Sequence, residues 1–423
     1  WRHHGVGLRM LVEAFLALGV VFSSVAIPLG LDDQWTTAAW AMEGAALVWV
    51  GVRQERPLAR WLGLLLQAGA GVFFLESLSQ AHTAAPVVNG IFLGGCLISA
   101  AGLFSGIYLH RHQARLMPRE LALPTPVALW SLLWWLGIGI FEILRQAPHS
   151  THAALILGFV ALSLLALLWA YRHIQWPVMV VPLLGLMPLM GLLAFVQLDW
   201  IVGYARSTGH LLTGLGLIAW PLAFAIQYRL LYAVGDQWPA PLPRAWHTAT
   251  LLLLMGAVAG EVDWLLRDLL RAATAWRLAA LMAVSAAPLL LLLRWRERQI
   301  WPITALPRVY APHGWAPLSL AGIAWSLVLM AGLHAGGPQP LGYLPLCNPV
   351  EIGQVLILVA LAYHLWIYAS SRPWGGKQTE AVKSLVWAHA VAVFVFLNAV
   401  VARSVHHFGG SPYDLSLMTD GRL

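Results

Sequence analysis

Six glutamates stand in or at the ends of long apolar runs: Glu13, Glu43, Glu76, Glu142, Glu261 and Glu351. An ionised carboxylate at membrane depth costs at least a few kcal/mol, so such a group faces a bundle interior, finds a partner or takes a proton. Glu43, in TTAAWAMEGAALVWVGVR, lies seven residues past Thr36, which at about 1.5 Å per residue sets it roughly 10 Å along a helix that starts there. Two readings of it stand side by side: a hydrogen bond to a neighbouring helix, for instance to Gln67, as interhelical glue, or contact with a substrate or proton. Glu142 and Arg145 are three apart, hence neighbours on one helix face, and an arginine suits a phosphate or carboxylate. His406 and His407, in RSVHHFGGSPYD, could exchange protons near neutral pH. With Asn89 and Asn348, which close two Pro-x-x-Asn segments, these residues form a candidate substrate-binding set: Glu43, Glu76, Glu142, Arg145, Asn89, Asn348, His406 and His407. No H-E-x-x-H, no Gly-rich phosphate loop after a strand and no G-x-S-x-G elbow occurs. No metal and no cofactor is therefore expected, and catalytic residues stay unassigned.

The elements that must position these groups are membrane helices. Of 423 residues 60% are hydrophobic and 10% charged, and the mean hydropathy is +0.72; a soluble globule would carry roughly a quarter charged residues. The expected fold is all-α, a polytopic transmembrane bundle. A span needs about 20 mostly apolar residues, and about thirteen such runs can be drawn: 8–30, 36–53, 58–79, 88–110, 122–145, 152–172, 177–199, 207–235, 245–263, 277–294, 315–334, 350–370 and 380–402. Placing the N-terminus inside puts 18 of the 25 Lys and Arg on the inner side, as cytoplasmic loops require. The basic excess thus belongs to topology, and since it is dispersed among apolar runs, nucleic acid is not an expected partner. Residues 261–277, EVDWLLRDLLRAATAWR, read as an amphipathic helix along the outer interface. The 23 tryptophans are explained by an interfacial belt. Cys96 and Cys347 are too few for a disulfide framework. With WRHHGVGLRM at its start, the sequence reads as part of a longer chain.

PVVNGIFLGGCLISAAGLFSGIYL from Pro86 and PLCNPVEIGQVLILVALAYHLWIY from Pro345 share Pro-x-x-Asn after an uncharged loop. The following runs share Ser-Leu-x-Trp from Ser131 and Ser384, with Phe141 and Phe394 seven residues past the aligned Trp. Either 58–145 and 315–402 are parallel repeat units, as weak internal symmetry in transporters would suggest, or shared apolar composition produces a chance likeness.

AAWAMEGAALVWVGVRQERPLARWLGLLL (38–66) resembles a recurrent Trp-Ala-x-Glu-Gly-Ala segment of a family of large polytopic bacterial membrane proteins, domain of unknown function 2339. YLPLCNPVEIGQ (343–354) and FLNAVVARSVHHFGGSPYD (396–414) resemble segments near that family's C-terminal end. The resemblance implies a bacterial inner-membrane setting, a C-terminal part of a larger bundle, and the remaining N-terminal portion as a partner. It supplies no activity. It makes Glu43 part of a pattern, with Gly44 and Ala45 beside it allowing close helix approach.

Three functions stay open. The first is transport or handling of an envelope-related substrate through an outer-facing polar cavity. The second is a membrane-embedded enzyme on a lipid-linked envelope substrate, with His406 or His407 as base beside a carboxylate. The third is a structural scaffold binding other membrane proteins. The lipid bilayer is a partner in all three.

Overall fold

The computed structural model describes residues 33–79, 85–197, 210–239, 241–269, 274–295, 298, 300–303, 305–337, 342–370 and 376–413. Its helices are α1 (Asp33–Arg53), α2 (Pro57–Ser79), α3 (Gly90–Arg111), α4 (Pro124–Gln146), α5 (His152–Ile174), α6 (Leu186–Gln197), α7 (Gly216–Val234), α8 (Pro241–Leu269), α9 (Thr274–Trp295), α10 (Pro307–Tyr310), α11 (Trp315–Gly332), α12 (Pro349–Ser370) and α13 (Gly376–Gly409). In hydrocarbon every backbone N–H and C=O must be bonded by the chain itself, which a helix does segment by segment. Several starts are written in the sequence. Pro57, Pro124, Pro241, Pro307 and Pro349 each open a helix, where a missing N–H is no loss.

Among the described residues eleven helices are long and apolar enough to cross a membrane. The protein is an all-α polytopic membrane protein. Of the spans drawn from sequence, 8–30 lies outside the described residues, and α1 falls outside the eleven because Thr, Trp and Gly dilute its apolar residues around Glu43. Of the segment expected as an interfacial helix, 261–277, residues 261–269 belong to α8 and 274–277 to α9, and 270–273 lie outside the described residues. Its apolar spacing is in phase with the run before it, and Asp263 takes Arg267 from its own helix and Arg277 from the next.

The chain forms two compact units, Trp1–Phe159 and Val160–Leu423, with the division inside α5. In lipid no hydrophobic force draws helices together, so close packing needs small residues. In the first unit α1 packs on α2 and α3, and α3 on α4. At the α1–α2 crossing a Cβ on Gly44 would stand 2.5 Å from the Gly63 carbonyl oxygen and 2.8 Å from Gln67 Cγ, so only glycine permits that approach. Gly102 against Ser131 and Gly106 against Ala128 serve α3 and α4 in the same way. Large side chains such as Leu65 and Leu133 are exposed, toward lipid.

In the second unit α9, α11, α12 and α13 share one apolar core that includes Met282, Leu289, Leu320, Val328, Ile357, Leu361 and Phe396. Gly353 lets α12 lie against Ala279 and Met282 of α9.

Candidate functional site

In the first unit the polar centre forms where α3 begins and α4 ends. The Asn89 side chain accepts from the Phe92 N–H at 2.8 Å and so caps α3, as Asn does well because its oxygen reaches the free N–H groups of the first turn. Before it, Val87 holds a left-handed backbone, φ 65°, which is strained for a β-branched residue. That turn aims the Val87 N–H at Glu142 Oε1, 2.8 Å away, and Asn89 Nδ2 donates to the same oxygen at 2.8 Å. The α3–α4 seam of small residues brings Glu142 level with Asn89. Glu142 is 5% exposed, yet its Oε2 is buried with no hydrogen-bond donor among the described residues. One turn further on, both terminal nitrogens of Arg145 are buried and meet no acceptor among the described residues. A donor pair and an acceptor oxygen are thus left unfilled on one helix face.

The second unit holds a comparable centre with its bonds filled. Leu346, again at φ 65°, donates its N–H to Glu351 Oε2 at 2.6 Å, and Asn348 accepts from the Val350 N–H at 2.9 Å. Tyr343 donates to Glu351 Oε1 at 2.8 Å. Arg403, fully buried like Glu351, donates to Ala331 O (2.6 Å), His334 O (2.9 Å), Gln354 Oε1 (3.0 Å) and Glu351 Oε1 (3.5 Å). Asn348 Nδ2 donates to Gly336 O at 2.6 Å. These bonds fasten the α11–α12 connection to α12 and α13. Burial, and then the bond to Glu351, push the Tyr343 hydroxyl up to about 12. Burial first and Arg403 second hold His334 below the ordinary histidine range. Its Nδ1 accepts from the Gly336 N–H at 3.0 Å, which requires that nitrogen to be unprotonated.

Two further groups stand apart. Arg60 and Glu120, 2% and 1% exposed, pair through two bonds of 3.0 and 2.6 Å, while Arg60 also donates to Gly51 O and Glu120 accepts from the Met117 N–H. This fork-to-fork geometry is the strong form of the interaction. His210 Nδ1 lies 2.6 Å from Glu261 Oε2, and Leu212 N–H donates to Glu261 Oε1 at 3.0 Å. Glu261 borders an apolar cavity of 430 Å³ together with Leu212, Trp220, Pro221, Phe224 and Val258. Among the described residues no three His, Cys, Asp or Glu converge to hold a metal.

The candidate residues therefore separate. Asn89 and Glu142 meet, with Arg145 beside them. Asn348 belongs to the second unit's fastening, and His407 supports it by donating to Ala335 O at 3.0 Å and stacking on Tyr343 with ring centres 4.3 Å apart. His406 donates to Ser411 O at 2.5 Å. Both histidines bond carbonyls, and among the described residues no carboxylate bonds either of them; His210 and Glu261 form a histidine–carboxylate pair. Glu76 is exposed. Glu43 is half-buried beside the Gly44–Gly63 crossing, and Gln67, considered as its partner, donates to Ser105 Oγ at 2.8 Å. Sequence reasoning passed over Tyr343, Gln354 and the Arg60–Glu120 pair. Glu351 and Gln354 at i, i+3 were a readable signal of one polar helix face; the Arg60 to Glu120 link had none.

A family model described as a predicted membrane protein (DUF2339) matches residues 1–422, well beyond the three segments that carry the likeness. No curated protein and no solved structure matches the chain.

Proposed function

The chain belongs to the DUF2339 family of predicted membrane proteins, and from that premise we propose that it transports or handles an envelope-related substrate, received by an anionic group at Asn89, Glu142 and Arg145. The observation that carries the proposal is the pair of buried terminal nitrogens on Arg145 that meet no acceptor among the described residues. A buried guanidinium without acceptors is costly, and native proteins retain few such groups without a reason. The second unit sharpens the point: Arg403 and Glu351 stand below the same kind of turn with their bonds made. A phosphate or carboxylate matches the open guanidinium fork, and Glu142 Oε2 would take a hydroxyl or ammonium of the same substrate. The nitrogens are covered, so the anion enters as the Arg145 side chain swings outward. The positive-inside rule supports reading this end as outward-facing, and a bacterial inner membrane is the setting that goes with an envelope-related substrate. The shared left-handed turn and capping asparagine also support 58–145 and 315–402 as repeat units, one kept as a fastening and the other as a site.

The test is thermal unfolding of the purified protein with inorganic phosphate, pyrophosphate and glucuronate. An anion at about 100 times its Kd stabilises by roughly 2.7 kcal/mol, so the wild type should shift upward by several degrees and Arg145→Gln should not. Absence of any anion-dependent shift, or an equal one in Arg145→Gln, refutes the proposal. A second reading, an enzyme acting on a lipid-linked substrate, is favoured by the His210–Glu261 pair at the rim of the 430 Å³ cavity.

A further inference from the structure

The last helix carries a stripe that neither the fastening nor the anion site uses. Only 17% of the apolar stretch of Val382–Gly409 is buried, against 61% for α12. Its buried face, Ala392, Phe396, Ala399 and Arg403, meets the second unit's core. Opposite it, Trp387, Val391, Phe394, Asn398, Val401, Val405 and Phe408 are all exposed, and their spacing alternates four and three residues without a break. Four-three spacing marks any one face of a helix, and it is also the spacing that a partner helix packing knobs into holes requires. In that register Val391, Asn398 and Val405 take the a positions, and Trp387, Phe394, Val401 and Phe408 the d positions.

Asn398 is the observation that names the partner. It lies within about 5 Å of the midpoint of the 28-residue span at 1.5 Å per residue, so it is in the hydrocarbon. Its Nδ2 donates to Phe394 O at 2.8 Å, and its Oδ1 accepts nothing among the described residues. A polar group turned toward lipid without a partner is expensive, and an amide is complementary to itself: with one N–H spent on Phe394 O, Asn398 still offers one donor and one acceptor. All copies of a chain enter the bilayer in one orientation, so the two-fold that pairs them by one face runs along the membrane normal and sets like helices parallel. A parallel pair places Asn398 opposite Asn398, and a single a-position Asn between β-branched a residues favours a two-stranded pairing in one register.

We propose that α13 is a self-association surface on which a second copy of this chain docks, its register set by an Asn398–Asn398 hydrogen bond. The test uses the full chain in its native membrane, with Cys96→Ser and Cys347→Ser removing both natural thiols. Single substitutions Val391→Cys, Asn398→Cys and Val401→Cys should give a disulfide-linked product of twice the chain mass on mild oxidation, whereas Ala392→Cys, Phe396→Cys and Ala399→Cys should not. Asn398→Leu should lower the association constant about 3- to 30-fold, the worth of an interhelical polar bond, and with it the dimer fraction. Cross-linking that is absent or without the 4-3 periodicity, a product of another mass, or an unchanged dimer fraction in Asn398→Leu each overturns the proposal.

Discussion

Replacing Arg403 by Met should be among the most damaging single changes in the second unit. The side chain is fully buried and Met keeps much of its volume, so the loss is polar rather than a cavity. Ala331 O retains the His334 N–H at 3.1 Å, and Glu351 retains Tyr343 and the Leu346 N–H. The groups left without a donor are His334 O and Gln354 Oε1, each costing about 1–3 kcal/mol when buried. Removing one partner of a buried ion pair costs about 3–5 kcal/mol. The two figures overlap, and about 3–5 kcal/mol is the expected total, which lowers Tm by roughly 6–20 °C at two to four degrees per kcal/mol. Thermal unfolding in a single detergent measures it. Adding Glu351→Gln removes the stranded charge, so the double variant should recover part of the loss. The recovery should be smaller than in the matching Arg60→Met and Glu120→Gln cycle, because the Arg403–Glu351 contact is one bond of 3.5 Å and Arg60–Glu120 is a fork of 2.6 and 3.0 Å. A Tm drop under about 2 °C in Arg403→Met, roughly 1 kcal/mol or less by the same conversion, or strictly additive double variants, would refute the reasoning.

Val87→Gly and Leu346→Gly should each stabilise by up to about 1.5 kcal/mol: the left-handed conformation costs a side chain roughly 1–2 kcal/mol, glycine's extra freedom returns about 0.5–1 of it, and both side chains are more than half exposed. Unfolding of the two variants beside wild type checks this, and destabilisation in both would show that the turn is not strained. Stability should also fall with acid through His334. Burial and Arg403 depress its native pKa below the usual 6.5, so the unfolded chain takes the proton first. The contribution is whole above about pH 6.5, declines as pH falls toward the depressed native value and levels below it. His334→Gln should flatten that acid limb, as read by Tm against pH.

Much of the frame was legible because the bilayer writes it locally. Apolar run length, prolines at helix starts and the need to satisfy backbone groups within each segment locate the helices without reference to any contact. The glycine beside Glu43 announced a close crossing for the same reason. Partners were not legible. Arg60 and Glu120 are 60 residues apart, Asn89 and Glu142 53, Glu351 and Arg403 52, and no periodicity of one helix specifies which polar group on another it will meet. Sequence alone therefore fixed an all-helical membrane protein with polar residues collected near helix ends. Tertiary packing decided that both oxygens of Glu351 are filled and that Glu142 Oε2 meets no donor among the described residues, because a carboxylate's state depends on which donors the neighbouring helices bring within about 3 Å.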